Sequence, residues 1–209
     1  MTYTVTIVPA SSKTGENAIR YLLETDAKVN IRAIYRDTAK AKAEFTKHAN
    51  FEAVKGDVSD GASLDFTGSD AVLFNQPPTY DGTDIGEFAT KTATNVKNAL
   101  VAGGVKKLVI LSALGAQHGS GIVRSHLDSG VGNRWLTVGK GVLRINHVSD
   151  EILKDAVPDV TIIRAGYFAE DFTHAFASIK ADPPVIVSLF SPADFKVPLV
   201  SITGKAVNV

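Results

Sequence analysis

The sequence predicts an α/β protein built on a doubly wound parallel sheet. Short apolar runs rich in β-branched residues alternate with segments that carry apolar residues at helical spacing. Strands that are joined through helices form right-handed crossovers in a parallel sheet. Apolar runs such as Lys107–Leu111 are typical of strands that helices cover on both faces. The chain of 209 residues suits one domain with a substantial core.

The alternation can be followed element by element from the N-terminus. Strands are predicted at Tyr3–Val8, Val29–Tyr35, Phe51–Val54, Ala71–Phe74, Lys107–Leu111 and Val160–Ile163. Helices are predicted at Gly15–Glu24, from an Asp37 cap to about Lys47, from Ile85 to Ala99, and at Leu143–Ala156. After about Lys180, four prolines interrupt the pattern, and only two short strands are predicted, at Val185–Phe190 and Phe195–Val200.

Composition excludes several classes of site. Lys and Arg together number 22, as do Asp and Glu, so the zero net charge gives no reason to expect a nucleic-acid partner. The absence of cysteine excludes disulfides and thiol chemistry and fits a cytoplasmic protein. The sequence has no metal-binding His-Glu-x-x-His spacing, no Gly-x-Ser-x-Gly elbow and no apolar run of about 20 residues that would span a membrane. We therefore expect no metal and no membrane partner.

The loop PASSKTG, Pro9 to Gly15, lies between the first strand and the first helix. A dinucleotide fingerprint places three glycines there, for a tight turn, for approach to the pyrophosphate and for helix packing. With Gly15 as the third glycine, Pro9 replaces the first and Ser12 the second. Hydroxyls and a positive charge are available in compensation from Ser11, Ser12, Lys13 and Thr14. The alternative is a polar loop in which Ser and Thr merely cap the helix.

Six segments together carry a family resemblance. They are PASSKTGENAIRYLLE, AIYRD, GDVSD, KLVILSALGA, INHVSDEILKDA and TIIRAGYFAEDF, in this order. The set resembles the NmrA-like branch of the atypical short-chain dehydrogenase/reductases over residues 3–115 and 143–200. It looks most like a fungal subgroup associated with aromatic polyketide pathways and anthraquinone-type intermediates. The usual loop of the family reads approximately TGATGKTG, so this chain departs from it at two glycines.

The resemblance implies a Rossmann-like fold and a set of cofactor contacts. Arg36 stands where NADP-preferring relatives carry an arginine for the 2′-phosphate, which favours NADP over NAD. Asp57 and Val58 would lie beside the adenine. The remaining contacts would be Ser11, Ser12, Lys13, Thr14 and Gly15 at the pyrophosphate, with Asn75, Gln76 and Pro77 at the nicotinamide ribose. Arg36 as an ordinary exposed cation and Asp57 as a turn residue are the alternatives.

Candidates for proton transfer are fewer than in the standard family. Ser112 occupies the position of the family serine, but no tyrosine is followed four residues later by lysine. The remaining catalytic candidates are Tyr167 after the TIIR strand, His147 on the INH helix, and Lys140 or Arg144, which precede or begin that helix. His147, Arg144 and Glu151 are spaced to share a helix face, and His118 follows Ser112 in a loop. Structural roles for His147, Tyr167 and Ser112 are the alternatives.

Two segments depart from the family pattern. Residues 121–142 form a polar, glycine-rich insert that contains the only tryptophan, and we expect either a substrate lid or translated intron sequence. The domain organisation predicted is an NAD(P)-binding unit at 1–180, which includes this insert, and a short or truncated remnant of a substrate lobe at 181–209. If transcripts of the gene encode both segments as written, the intron hypothesis fails.

The sequence thus predicts an NADP(H)-dependent oxidoreductase, with NAD as the alternative cofactor. The resemblance implies a quinone or other aromatic polyketide intermediate as the substrate and a monomer or homodimer as the working form. A non-enzymatic nucleotide sensor that binds a partner protein is the second hypothesis, because the Tyr-x-x-x-Lys pair is missing. A truncated paralogue with neither role is the third.

Overall fold

The computed structural model describes residues 3–25, 28–118, 143–175, 179–180, 182–184 and 198–203. The strands in these ranges are β1 (Tyr3–Val8), β2 (Val29–Tyr35), β3 (Phe51–Lys55), β4 (Ala71–Asn75), β5 (Lys107–Ala113), β6 (Asp159–Ala165), β7 (Tyr167–Phe168) and β8 (Leu199–Val200). The helices are α1 (Lys13–Glu24), α2 (Ala43–Thr46), α3 (Ile85–Ala102) and α4 (Leu143–Leu153), with short 3₁₀ turns at Thr38–Lys40, Gly61–Ser63 and Ala169–Ala175.

Six parallel strands form the main sheet in the order β3-β2-β1-β4-β5-β6. This confirms the predicted doubly wound sheet and its Rossmann-like class. The order reverses between β1 and β4, which places a crevice at the carboxyl ends of these two strands. The loops that follow β1 and β4 therefore face each other across the position where such sheets bind ligands.

Two apolar cores lie on opposite faces of the sheet. One packs α3 and α4 against the strands through side chains such as Val96, Leu100 and Leu153. The other packs α1 and α2 through Ile19 and Phe45. Burying an aliphatic or aromatic side chain of this size contributes about 1.5–3 kcal/mol, so these residues fix both helical layers.

The helix predicted from Asp37 to Lys47 was wrong as a continuous element. Asp37 does cap, since its Oδ1 accepts from the Ala39 amide at 3.0 Å, but only the 3₁₀ turn Thr38–Lys40 follows. Ala41 and Lys42 are extended, and a second short helix then begins at Ala43. Phe45 is the one buried residue of α2, and a single anchor does not specify a longer amphipathic helix.

The end of the chain matches the prediction in part. The predicted strand Phe195–Val200 is observed as β8, Leu199–Val200, which pairs in parallel with β7. Three predicted parts lie outside the described residues: the first residues of the predicted strand Phe195–Val200, the predicted strand Val185–Phe190 and the insert at 121–142. Within the described ranges, no helix is long and apolar enough to cross a membrane.

Candidate cofactor and active site

The loop after β1 is held together by Ser12. Its hydroxyl oxygen accepts from the Gly15 amide at 2.9 Å and donates to the Pro9 carbonyl at 3.1 Å. Ser12 is thus the N-cap of α1, and its hydroxyl is engaged inside the loop. Because a helix leaves its first amides without intrahelical partners, the start of α1 offers main-chain donors to an anion in the crevice.

Gly15 allows α1 to approach the end of β1 closely. A Cβ at this position would lie 2.7 Å from the Pro9 oxygen and 3.0 Å from the Ala10 oxygen, which are main-chain atoms with little freedom to move. The residue therefore has the packing role of the third fingerprint glycine. At the first glycine position Pro9 has no amide to offer, and the Ala10 amide is taken by the Ile34 carbonyl at 2.9 Å.

Thr14 and Asn75 meet across the crevice although they are far apart in the sequence. Asn75 is the last residue of β4, and its side-chain amide donates to the Thr14 hydroxyl at 2.8 Å. This bond joins the two strand ends at which the sheet order reverses. Two residues predicted from different motifs are thereby brought together at the expected cofactor position.

Gln76 is directed into the protein instead of the crevice. It is 5% exposed, and its side-chain amide donates to the Thr92 hydroxyl on α3 at 2.8 Å. The side chain of Gln76 is therefore not available to a cofactor, and only main-chain atoms of this residue could contact one. Pro77, the next predicted contact, is half-buried where the chain leaves the sheet.

The predicted contacts for the adenosine half occupy the ends of β2 and β3. Arg36 is exposed directly after β2. Asp57 has a structural role in its turn, because its Oδ1 accepts from the Ser59 amide at 2.8 Å. Val58 is 5% exposed and belongs to the core on the α3 face, and its carbonyl oxygen accepts from the Asn95 side-chain amide at 2.9 Å.

Lys13 provides a positive charge at the mouth of the loop. Its Nζ lies 3.7 Å from Asp171 in the turn after β7, and about half of the lysine side chain is exposed. Ser11 is exposed beside it at the tip of the loop. An ion pair this open contributes little to stability, about 0–1 kcal/mol, so the lysine can exchange its partner at small cost.

Ser112 forms a polar cluster with two residues that the sequence did not single out, the buried Asp150 and the exposed Arg164. Its hydroxyl is 2.8 Å from Asp150 Oδ2 on α4, and an Arg164 nitrogen on β6 is 3.5 Å from the same oxygen. Ser112 is 5% and Asp150 3% exposed. Burial raises the pKa of Asp150 above its ordinary value, while the hydrogen bond from Ser112 and the charge of Arg164 oppose this shift.

Arg144, His147 and Glu151 lie at the predicted spacing on the single helix α4, but each of them has a separate partner. His147 Nδ1 is 2.8 Å from the Ala116 carbonyl, whereas Arg144 is bound to Asp84 at 3.0 Å and Glu151 to Lys154 at 2.7 Å. His147 also lies close enough to Asp150 for its positive charge to lower the pKa of that carboxyl. His118 is exposed beyond this cluster, and Lys140 lies outside the described residues.

Tyr167 follows β6 in the short strand β7. Its amide donates to the Pro198 carbonyl at 3.0 Å, and its ring meets Phe172 edge-on at 5.4 Å. Burial, followed by the charge of Asp171, raises the pKa of Tyr167. The Glu170 carboxylate accepts from the Ser201 hydroxyl at 2.5 Å and thereby fastens the segment after β8 to this turn.

A cavity of about 450 Å³ lies between α1 and strands β4 to β6. Its walls are largely apolar, and its lining includes Ile7, Ala18, Leu73, Leu111, Ile163, Phe168, Val200 and Ile202. At one end it reaches Pro9, Thr14 and Asn75, so it opens onto the cofactor loop. Leu111 lines the cavity, and the side chains of a strand alternate in direction, so Ser112 faces the opposite side of the sheet.

Comparisons with known proteins agree with this geometry. Residues 10–194 match the family described as NAD(P)H-binding. No curated protein matches the chain. Within the described residues, no group of three or more His, Asp or Glu side chains could hold a metal ion. The crevice, the glycine-dependent loop and the family match thus agree on a nucleotide cofactor.

Solved structures with this fold include two reductases. The triphenylmethane reductase of Citrobacter sp. is 21% identical with a TM-score of 0.69, over 97% of this chain and 61% of that one. The NADPH-dependent quinone oxidoreductase of Escherichia coli, complexed with NADPH, is 23% identical with a TM-score of 0.62, over 85% and 54%. The chain thus spans less than two thirds of either protein, and these identities establish the fold. By its family match over residues 10–194, the protein belongs to the NAD(P)H-binding family with a Rossmann-like fold.

Proposed function

We propose that this protein is an NADP(H)-dependent oxidoreductase of the NmrA-like branch that acts on a quinone or another aromatic polyketide carbonyl. The working form we propose is a cytoplasmic monomer or homodimer in fungal-type secondary metabolism. The observation that carries the cofactor assignment is the close approach of α1 to β1 at Gly15, where a Cβ would lie 2.7 Å from the Pro9 oxygen. This packing presents the start of α1 to the crevice, where a pyrophosphate would bind.

The choice of NADP over NAD rests on Arg36. It is an exposed arginine at the end of the second strand, and an acidic residue would be expected there for the ribose hydroxyl of NAD. When bound, the nicotinamide cofactor would supply or accept the hydride. The chain's own contribution would be to hold the pyrophosphate at α1 and Lys13 and to order the crevice through Thr14 and Asn75.

The aromatic substrate class is supported by the cavity beside the loop. Its volume of about 450 Å³ is within the usual range for small-molecule sites, and its apolar walls suit a flat aromatic ring system. The names of the two reductases with this fold, which concern triphenylmethane dyes and quinones, are compatible with such a substrate.

Calorimetric titration with NADPH and NADH tests the cofactor assignment. We expect Arg36→Ala to weaken NADPH binding about 10- to 100-fold, the equivalent of about 1.5–3 kcal/mol for a charged hydrogen bond, and to leave NADH binding unchanged. Lys91→Ala, which removes an exposed positive charge on α3, is the matched control. Equal losses for both cofactors, or no binding at millimolar concentration, would contradict the proposal.

The second candidate function is a nucleotide sensor without turnover. It is favoured by the engagement of the Ser112 hydroxyl with Asp150 and by the missing Tyr-x-x-x-Lys pair. NADPH oxidation in the presence of a panel of quinones distinguishes the two functions. Quinone-dependent oxidation of NADPH supports the enzyme, whereas tight NADPH binding without turnover supports the sensor.

A further inference from the structure

The turn after β7 places a carboxylate beside the cofactor loop. Asp171 lies in the 3₁₀ turn Ala169–Ala175, and its Oδ1 is 3.7 Å from Lys13 Nζ. Lys13 is the first residue of α1, where the pyrophosphate of the cofactor is proposed to bind. Carboxylate and phosphate oxygens are both anionic partners of an ammonium group. Asp171 and a pyrophosphate would therefore pair with the same positive charge.

The turn that carries Asp171 is attached to the chain around β8. Before the turn, the Tyr167 amide donates to the Pro198 carbonyl at 3.0 Å, and β7 pairs with β8. Within the turn, the Glu170 carboxylate accepts from the Ser201 hydroxyl. Glu170 is thus engaged with the segment after β8, and Asp171 is the carboxylate of this turn that forms the ion pair with the lysine.

Stability alone does not explain why a carboxylate lies at this position. The side chains of Lys13 and Asp171 are 56% and 34% exposed, and an ion pair this open to solvent contributes little to the free energy of unfolding. Its effect on an arriving anion is different. The anion must displace the carboxylate from the lysine, and the carboxylate also repels a charge of its own sign. Both effects weaken the binding of an anion at the loop.

We propose that Asp171 competes with the cofactor for Lys13 and thereby lowers the affinity of the protein for NADP(H). The inference rests on the proposed function, because the anion that displaces Asp171 is the pyrophosphate of the cofactor. Asp171 is the counter-ion of Lys13 in the free protein and gives up this contact when the cofactor binds. It therefore determines cofactor affinity without contacting the reacting atoms.

The decisive variant is Asp171→Asn, which removes the charge and keeps the shape of the side chain. In calorimetric titration at low salt, we expect this variant to bind NADPH about 3- to 10-fold more tightly than the unaltered protein. Asp171→Glu keeps the charge and should stay within about twofold of the unaltered protein. Asp155→Asn is the control, because it removes an exposed carboxylate between α4 and β6, away from the cofactor loop. Equal or weaker binding in Asp171→Asn would overturn the proposal.

Two further measurements distinguish competition from a purely structural role of Asp171. Added salt screens exposed charges, so the advantage of Asp171→Asn should shrink to less than about twofold at high salt, roughly 0.5 M. In a double-mutant cycle, the same substitution should tighten NADPH binding less in a Lys13→Gln background, because no ammonium group is then left to compete for. An advantage that does not depend on salt, or that is equal with and without Lys13, would overturn the proposal.

Inorganic pyrophosphate as a second probe separates this inference from the proposed function, because it carries the anion without the nucleotide. If it binds more tightly to Asp171→Asn than to the unaltered protein, while neither protein binds NADPH, the proposed cofactor is wrong and the competition by Asp171 stands. If NADPH binds equally tightly to both proteins, the competition is wrong and the cofactor assignment stands.

Discussion

Gly15→Ala tests whether the close approach of α1 to β1 holds the cofactor loop. In an unconstrained helix this substitution stabilises by roughly 0.5–1 kcal/mol. Here the new Cβ would lie 2.7 Å from the Pro9 oxygen, 2.9 Å from the Ser12 hydroxyl and 3.0 Å from the Ala10 oxygen. Two of these atoms belong to the main chain, and the third is the cap of the helix. Relief of the contacts must therefore move α1 or break the cap.

The expected loss follows from these contacts. Forcing an extra methyl group into a packed site costs about 1–3 kcal/mol, and disruption of the Ser12 cap adds about 1 kcal/mol. After the helix-propensity gain is subtracted, we expect a net loss of roughly 2 kcal/mol, which lowers the melting temperature by about 4–8 °C in a chain of this size. Because the loop would shift with the helix, NADPH binding should also weaken.

Gly86→Ala is the matched control, since it also changes a glycine in the first turn of a helix. The three atoms nearest to its new Cβ all belong to the guanidinium of Arg144, which is the far end of a long, flexible side chain. We expect the free energy of unfolding in urea to change by less than about 1 kcal/mol in this variant. If Gly15→Ala is as stable as the unaltered protein and binds NADPH equally well, the packing role assigned to Gly15 is wrong.

Two further predictions concern the described polar groups. Tyr35 is buried, its hydroxyl has no hydrogen-bond partner among the described residues, and burial raises its pKa to about 12. Tyr35→Phe should therefore leave the free energy of unfolding unchanged or raise it by about 1 kcal/mol, with the exposed Tyr3→Phe as control, and a loss above about 1 kcal/mol would contradict this. The hydrogen bond from Ser201 lowers the pKa of Glu170 below 4.5, so its stabilising contribution is present above the unfolded pKa and is lost as the pH falls through the folded one. The Ile202 amide donates to this carboxylate at 3.1 Å. In hydrogen exchange, we expect the protection of this amide to decrease with acid in the unaltered protein. In Glu170→Gln the protection should already be low. If the substitution does not change this protection, the Glu170 carboxylate is not the group that holds the segment after β8.

The main sheet could be predicted from the sequence because its signals are local. Each strand is a short β-branched run, and each long helix carries its own apolar stripe, so neither assignment requires knowledge of distant contacts. The segment from Thr38 to Thr46 could not be predicted in the same way. Its conformation depends on where Phe45 finds a pocket against α1 and β3, and one apolar residue leaves the helix length undetermined.

The candidate site was predictable one residue at a time but not as a cluster. Ser112 stood out because it occupies the position of the family serine after the predicted strand Lys107–Leu111. Its partners Asp150 and Arg164 did not, because their contacts depend on the register of β5 with β6 and on the rotation of α4. The sequence did contain an indication that Asp150 is buried. Asp150 lies beside Ser149 on the face of α4 that also buries Ile145 and Leu153. A carboxylate next to such a stripe must find partners inside the fold or be neutral.

The altered loop can be judged by how its side chains are already used. The sequence left open whether its hydroxyls replace the missing glycines or cap the helix, and the structure shows Ser12 capping α1 and Thr14 accepting from Asn75. The Ser12 hydroxyl is therefore not the substitute for the amide that Pro9 cannot provide, because its hydrogen and its oxygen are both used inside the loop. The charged source of affinity is the start of α1 together with Lys13, whose ion pair with Asp171 is weak enough to yield to a pyrophosphate. An anion held by one exposed cation and a helix end should bind with a marked dependence on salt, because added ions screen both contributions.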